Sequence, residues 1–410
     1  AETTKSIEAL IVLAFNVGFD DELDGIQRIK IPIYLITDKA AHSKMRQFHL
    51  AKMTQVQIVE DSSDYQQVLA ACKKVIKEPT KTAFNLMNDQ GNIMTGRLAQ
   101  DLGVPGYEHL DHIHSFSKAK SLMEKHSIKY QKHSLLDYQD FSSTEEFLNK
   151  VEEQLNYPLS VKLVESSFYP LTEKIDNRDQ LKSAIDSSNY NKGKIELSEH
   201  IEGIMYNVDN IVRNNQALLT LVCKATNPLG EIQNGKNFGC FLFPGDHPTS
   251  IKVKAITDKI IEALSPIPNG CLNIELSENK KGELIFLGAK CRRPDLLVRM
   301  YKYLTGYDIE AECMIIQAGL EPGKFELDKL VSYGAVVHFP TLKGTIKEKT
   351  IIPELHSTLE VIYRFHEGQT FDRTENNQDI STSFYLTHTN LDEVILDINK
   401  LEGFQPFDYI

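Results

Sequence analysis

At roughly 150 residues per domain, a chain of 410 residues is long enough for two or three domains, each with its own core. Its 41% hydrophobic and 25% charged residues are ordinary globular usage, and no stretch approaches the ~18 apolar residues needed to span a bilayer, so no membrane segment is expected. A net charge of −12 disfavours a general binder of nucleic acid or anionic membrane, so any phosphate site has to be a local basic patch.

In chain order, Ala9–Phe15, Ile31–Ile36, Val56–Val59 and Ala83–Leu86 are short apolar runs that read as strands. The first run has no preceding positive cluster and no small-residue cleavage site, so it reads as a core strand of a cytoplasmic protein, not a signal peptide. Between the third and fourth runs, Ser63–Lys77 places Tyr65, Val68, Leu69, Cys72, Val75 and Ile76 at helical spacing behind serine and aspartate caps. Strand-helix alternation of this kind builds a mostly parallel α/β sheet that often binds nucleotides. A dinucleotide site needs several glycines after the first strand, yet Asn16-Val17-Gly18-Phe19-Asp20 supplies one, and no Walker loop is present.

After the turn Gly103-Val104-Pro105-Gly106 come a lysine-rich helix, Ser117–His126, and an acidic one, Ser143–Leu155. The strand Leu159–Val164 puts Lys162 on the face opposite Val161 and Leu163. Ile195–Glu202 and Tyr206–Val212 read as strands, and Asn227–Pro248, rich in glycine, proline and asparagine, reads as a lid-like connection. Leu272–Leu276 and Glu283–Ala289 form a hairpin. The cysteines Cys72, Cys223, Cys240, Cys271, Cys291 and Cys313 contain no CxxC pair and read as free, mostly buried thiols. His109, His112 and His114 with Asp111 fit no metal-ligand spacing.

The ordered blocks Leu-Gly-Val-Pro-Gly ending at Gly106, the lysine-bearing helix, Tyr157–Lys162, Glu199–Gly203, Gly270–Glu275 and Cys291–Pro294 resemble an ATP-grasp protein of the carboxylate-amine ligase type. The resemblance implies an α/β and α+β fold: an N-terminal Rossmann-like pre-ATP-grasp domain over 1–106, a small ATP-grasp subdomain over 107–196, a nucleotide and metal subdomain over 197–315, and a C-terminal α+β part over 316–410 packed on that core. It implies ATP and Mg²⁺ as cofactors and small-molecule carboxylate and amine (or thiol) substrates joined through an acyl phosphate. A homodimer is left open. A carboxylate resists amines until phosphorylated, and phosphoryl transfer is catalysed by positioning and charge neutralisation.

Residue by residue, the resemblance gives Lys162 and Lys118, with Lys120 as the alternative, to the ATP phosphates. It gives Glu199 and Ile201 to adenine through backbone groups; Ser198 and Met205 stand where many members carry carboxylates, and Asp209 is a candidate for a polar role. Glu275 matches a magnesium carboxylate on the same strand face as Asn273, and Arg292 matches the arginine on the transferred phosphate. The usual second carboxylate is replaced by Gly288, followed by Ala289 and Lys290. A single magnesium, recruitment of Asp295, or the Lys290 ammonium are the alternatives, and a noncatalytic or nucleotide-sensing protein is the rival reading. The segment Glu165–Pro170 lacks the glycines with which many members cover phosphates.

Overall fold

The computed structural model describes residues 6–16, 24–86, 89–163, 173–187, 193–227, 235–294, 297–327, 330, 332–372 and 380–410. The turn after the first strand, the segment Glu165–Pro170, Asp295 and the side chain of Lys162 lie outside the described residues.

The first sheet holds β1 (Ala9–Ala14), β2 (Ile33–Asp38), β3 (Gln55–Val59) and β4 (Thr82–Leu86) in the order β3-β2-β1-β4, all parallel. Both faces are covered, as a parallel sheet requires. α1 (Lys39–Ser43), α2 (Gln47–Leu50), α3 (Tyr65–Val75) and α4 (Asp89–Leu102) belong to this part. Ile11, Leu13 and Ile36 pack with Val68, Cys72 and Leu98 on one face, while Leu10, Val12 and Leu35 on the other meet a helix from far along the chain. α5 (Leu110–His114) and α6 (Phe116–Lys125) follow.

A second, antiparallel sheet contains β5 (His133–Asp137), β6 (Leu159–Leu163), β7 (Glu173–Ile175) and β8 (Lys194–Glu199) in the order β5-β8-β6-β7. Leu159, Val161, Ile195 and Leu197 point from it into a core closed by α7 (Thr144–Gln154) and α8 (Arg178–Ser187). The strand expected to reach Glu202 stops at Glu199, where the chain crosses to the third sheet.

That third sheet has eight antiparallel strands in the order β13-β12-β9-β10-β11-β14-β18-β16. They are β9 (Ile204–Arg213), β10 (Gln216–Ala225), β11 (Phe238–Leu242), β12 (Gly270–Glu278), β13 (Leu284–Lys290), β14 (Tyr333–Pro340), β16 (Thr358–Tyr363) and β18 (Ile380–His388). The 197–315 and 316–410 segments thus share one sheet, and β15 (Gly344–Lys349), β17 (Thr370–Phe371) and β19 (Phe407–Tyr409) form a small sheet beside it. α9 (Pro248–Leu264) covers one face, α10 (Val298–Thr305) and α11 (Ile309–Gln317) the other, and α12 (Leu391–Lys400) the far end.

Two expectations are corrected. The lid-like stretch 227–248 contains β11, an inner strand of the sheet; its Gly239 hides the strand pattern because a Cβ there would stand 2.0 Å from the Val336 carbonyl oxygen. Cys271 and Cys313 form a disulfide between β12 and α11, leaving Cys72, Cys223, Cys240 and Cys291 as free thiols. The partners are 42 residues apart, so spacing could not reveal them. α11 is buried on every side because it lies between two layers: Ala311, Met314 and Ile315 face the first sheet, and Ile309, Cys313 and Ile316 face the third. Its buried acids are paired, Glu310 with Arg293 and Glu312 with Arg28. Among the described residues, no helix is long and apolar enough to cross a membrane.

Candidate functional site

Strand alternation sorts β12 cleanly. Leu272, Ile274 and Leu276 enter the core, while Asn273 and Glu275 point to the other face. The register sets Asp209 of β9 and Lys290 of β13 beside Asn273, and Asn207 and Gly288 beside Glu275. Opposed residues in an antiparallel pair share a face, so one polar patch gathers Glu275, Asn273, Asn207, Asp209 and Lys290.

Asp209 anchors this patch and is 3% exposed. It accepts hydrogen bonds from Tyr301 Oη at 2.5 Å, Asn207 Nδ2 at 2.8 Å and Asn273 Nδ2 at 2.9 Å. Burial pushes its carboxyl above the ordinary range, against the pull of Tyr301, Asn273, the Arg292 guanidinium and Asn207. The residue is therefore enclosed by protein partners in mid-strand, and it orients Asn273 and Asn207 beside Glu275. Glu275 itself is half-buried and makes no hydrogen bond or ion pair among the described residues. Arg292, also half-buried, lies just past β13 with its N–H on the Lys290 carbonyl at 3.1 Å. Arg293 turns the other way into a buried pair with Glu310 at 3.2 Å.

The two helix lysines part company. Lys118 is exposed and pairs with Asp111, whereas Lys120 is buried, with its ammonium 5.7 Å from the Phe116 ring centre. One helical turn separates Phe116 from Lys120, so the two share a face. Phe116 opens α6 at the edge strand β13 and stands between two sheets: its ring centre is 5.3 Å from that of His133 on β5, and a Cβ at Gly288 would meet its Cε1 at 2.8 Å.

On the second sheet, Ser160, Glu196, Ser198 and His133 lie on the face away from the apolar core, and the backbone of Lys162 is in register with Glu196. At the crossing to the third sheet, the Glu199 N–H donates to the Lys132 carbonyl at 2.8 Å, and its own carbonyl accepts from Gln131 Nε2 at 2.9 Å. Both main-chain groups of Glu199 are thus engaged, while Ile201 makes no backbone hydrogen bond among the described residues. His200 is held between the Pro158 carbonyl and Ser160 Oγ, 2.9 Å from its Nδ1; burial and then Lys174 lower its pKa.

Sequence reasoning missed Phe116, Asn207 and Tyr301. The alternation around Asp209 could have found Asn207, but Tyr301 and Phe116 arrive through tertiary packing that leaves no local signal. His114 takes a structural part, its Nε2 accepting from the Cys291 N–H at 2.9 Å. Among the described residues no three His, Cys, Asp or Glu side chains gather as a metal cage. Among the described residues, the carboxylates on this face are Glu275 and Asp209; the Asp209 oxygens are taken up by Tyr301, Asn207 and Asn273, which leaves Glu275 as the open donor for a magnesium ion. A nearby cavity of about 10 Å³, lined by Asn85, Arg293, Glu310, Gln317 and the disulfide, has room for one water and not for a substrate.

The parallel first sheet, the small antiparallel sheet and the large antiparallel sheet, with a polar face at the second-to-third crossing, make this the ATP-grasp fold. An L-amino acid ligase from Bacillus licheniformis matches over 99% of this chain and 100% of its own at a TM-score of 0.72 and 15% identity. A phosphoribosylglycinamide synthetase from Anaerococcus prevotii matches over 98% and 99% at 0.63 and 15% identity. A biotin carboxylase from Campylobacter jejuni, solved as a β-γ-ATP complex, matches over 96% and 90% at 0.63 and 12% identity. No protein-family model and no curated protein sequence matches the chain.

Proposed function

We propose that this chain is an ATP-dependent carboxylate-amine (or thiol) ligase acting on small molecules through an acyl phosphate. The observation that carries the reading is Glu275: a half-buried carboxylate with no hydrogen-bond or ion-pair partner among the described residues, flanked by Asn207 and Asn273 on one polar face of an ATP-grasp fold. An unpaired carboxylate in a partly desolvated position is costly unless it meets a cation. The ligase and synthetase names of the similar structures support the same reaction class.

In this reading the γ-phosphoryl group of ATP passes to a substrate carboxylate oxygen, releasing ADP. The amine then attacks the acyl carbon, phosphate leaves, and the amine proton passes to solvent. Glu275 would hold one Mg²⁺, which supplies charge neutralisation along the phosphates. Arg292 stabilises charge on the transferred phosphoryl group, and Lys162 with Lys120 balances the remaining phosphate charge. Lys118, already paired with Asp111 in solvent, contributes little. The free backbone of Ile201 offers adenine a donor and an acceptor, and Glu199 braces that crossing. Asp209 acts behind the site by orienting Asn273 and Asn207.

Thermal melting with ATP, with and without Mg²⁺, tests nucleotide binding, since a ligand held only by the folded state raises the melting point. An unchanged melting point in both conditions refutes the ligase reading. Gly288 favours a second reading, a noncatalytic nucleotide sensor, and this predicts the same shift with no phosphate release across a panel of amino acids and small carboxylates.

A further inference from the structure

We infer that Phe116 closes the cation position opposite Glu275, so that the cleft takes its nucleotide with one divalent cation and with fixed ammonium groups in place of a second. The inference rests on the ligase reading for the nucleotide, and on packing for the rest. Glu275 and Gly288 are direct partners across β12 and β13. Side chains at such paired positions are ~5 Å apart at Cβ, so a second carboxylate at 288 would share cations with Glu275. Here the space is filled: a Cβ at 288 would stand 2.8 Å from Phe116 Cε1 and 3.2 Å from Cζ. The ring is wedged against His133 across the cleft, 5.3 Å between centres, which limits its retreat. Glycine at 288 and phenylalanine at 116 are therefore two halves of one fit.

Charge gives the same answer. A dication held by a carboxylate adds a net charge of about +1 to a site, which is what one lysine adds. Two lysines belong to this neighbourhood, one beside the ring and one on the strand that carries Gly288. Lys120 lies one helical turn from Phe116, its ammonium 5.7 Å from the ring centre, and Lys290 is in register with Asn273 on the Glu275 face. A second dication opposite Glu275 would meet the apolar edge of Phe116 with the Lys120 ammonium beside it.

Counting cations tests this. The full chain is saturated with AMP-PNP, whose binding is measured separately by calorimetry, then titrated with Mn²⁺ while electron paramagnetic resonance follows the free ion. One Mn²⁺ per bound AMP-PNP is expected for the wild type and for Gly288→Glu. Two are expected for Phe116→Ala/Gly288→Glu, a doubling of the bound metal. Two Mn²⁺ in the wild type, or one in the folded double variant, overturns the inference. If the double variant does not fold, the wild-type count decides alone. Absence of AMP-PNP binding by the wild type overturns the ligase reading and this inference together, whereas binding with two ions leaves the ligase reading intact.

Discussion

Replacing Asp209 by alanine removes the acceptor that holds the polar face together, and the geometry sets the cost. Asn273 Nδ2 keeps its bond to Asn207 Oδ1 at 2.8 Å, but the Asn207 amide loses its acceptor and Tyr301 Oη is left with the weak Cys223 sulfur at 3.5 Å. One buried and one half-buried donor stranded at about 1–3 kcal/mol each predict a loss of roughly 3–4 kcal/mol, the Arg292 guanidinium losing a nearby opposite charge as well. Urea unfolding followed by circular dichroism measures it. Tyr301→Phe alone should cost about 1 kcal/mol but recover about 1 kcal/mol once Asp209 is gone, because it removes the stranded hydroxyl, so the double-mutant cycle should be non-additive by about 2 kcal/mol. There is also a pH signature. Burial raises the folded-state pKa of Asp209, so its proton-linked stability is full below the unfolded value and is lost as pH rises through the folded one. The advantage of wild type over Asp209→Asn should therefore grow as pH falls. A loss below about 1 kcal/mol for Asp209→Ala, or an additive cycle, would refute the network.

Three further outcomes follow from particular contacts. Lys120→Ala should weaken ATP binding about tenfold by calorimetry while Lys118→Ala changes it less than about twofold, since only Lys120 turns inward; equal effects would return Lys118 to the site. Gly270 has φ of +129°, and a Cβ there would stand 2.3 Å from Gln317 Nε2, so Gly270→Ala should lose about 2–4 kcal/mol, partly recovered by adding Gln317→Ala. Asp397 accepts from the Ser357 N–H at 2.6 Å and the His356 N–H at 3.0 Å; burial pushes its carboxyl up, but these bonds prevail and hold it below the ordinary value. Its stabilisation is present above an unfolded pKa of about 3.9 and is lost as pH falls through the lower folded value, so Asp397→Asn should flatten the acid limb of the melting-temperature profile.

Much of this architecture was legible because local pattern and tertiary role agree. The runs beginning at Ala9, Ile31, Val56 and Ala83 became β1 to β4 within a few residues, and the alternation Leu272-Asn273-Ile274-Glu275 announced which side chains share the polar face. Gly288 stood out only through the family resemblance, which puts a carboxylate at that position. What hid Phe116 is that its partner lies on a strand far along the chain, and helix periodicity ties it only to Lys120, not to β13. Gly239 concealed β11 because a residue chosen for close backbone approach carries no strand signature. The Cys271–Cys313 bond and the enclosed α11 are likewise products of layer packing.

The central claim is that a carboxylate is activated by phosphorylation in the cleft beside Glu275 and Arg292. It is tested most directly by supplying ATP, Mg²⁺, an amine and a panel of ¹⁸O-labelled carboxylates, and analysing the released phosphate by mass spectrometry. Transfer of one ¹⁸O from carboxylate to phosphate, together with ADP and the amide, is the predicted result. ADP formation in which the phosphate carries no ¹⁸O, its fourth oxygen having come from water, would contradict the account.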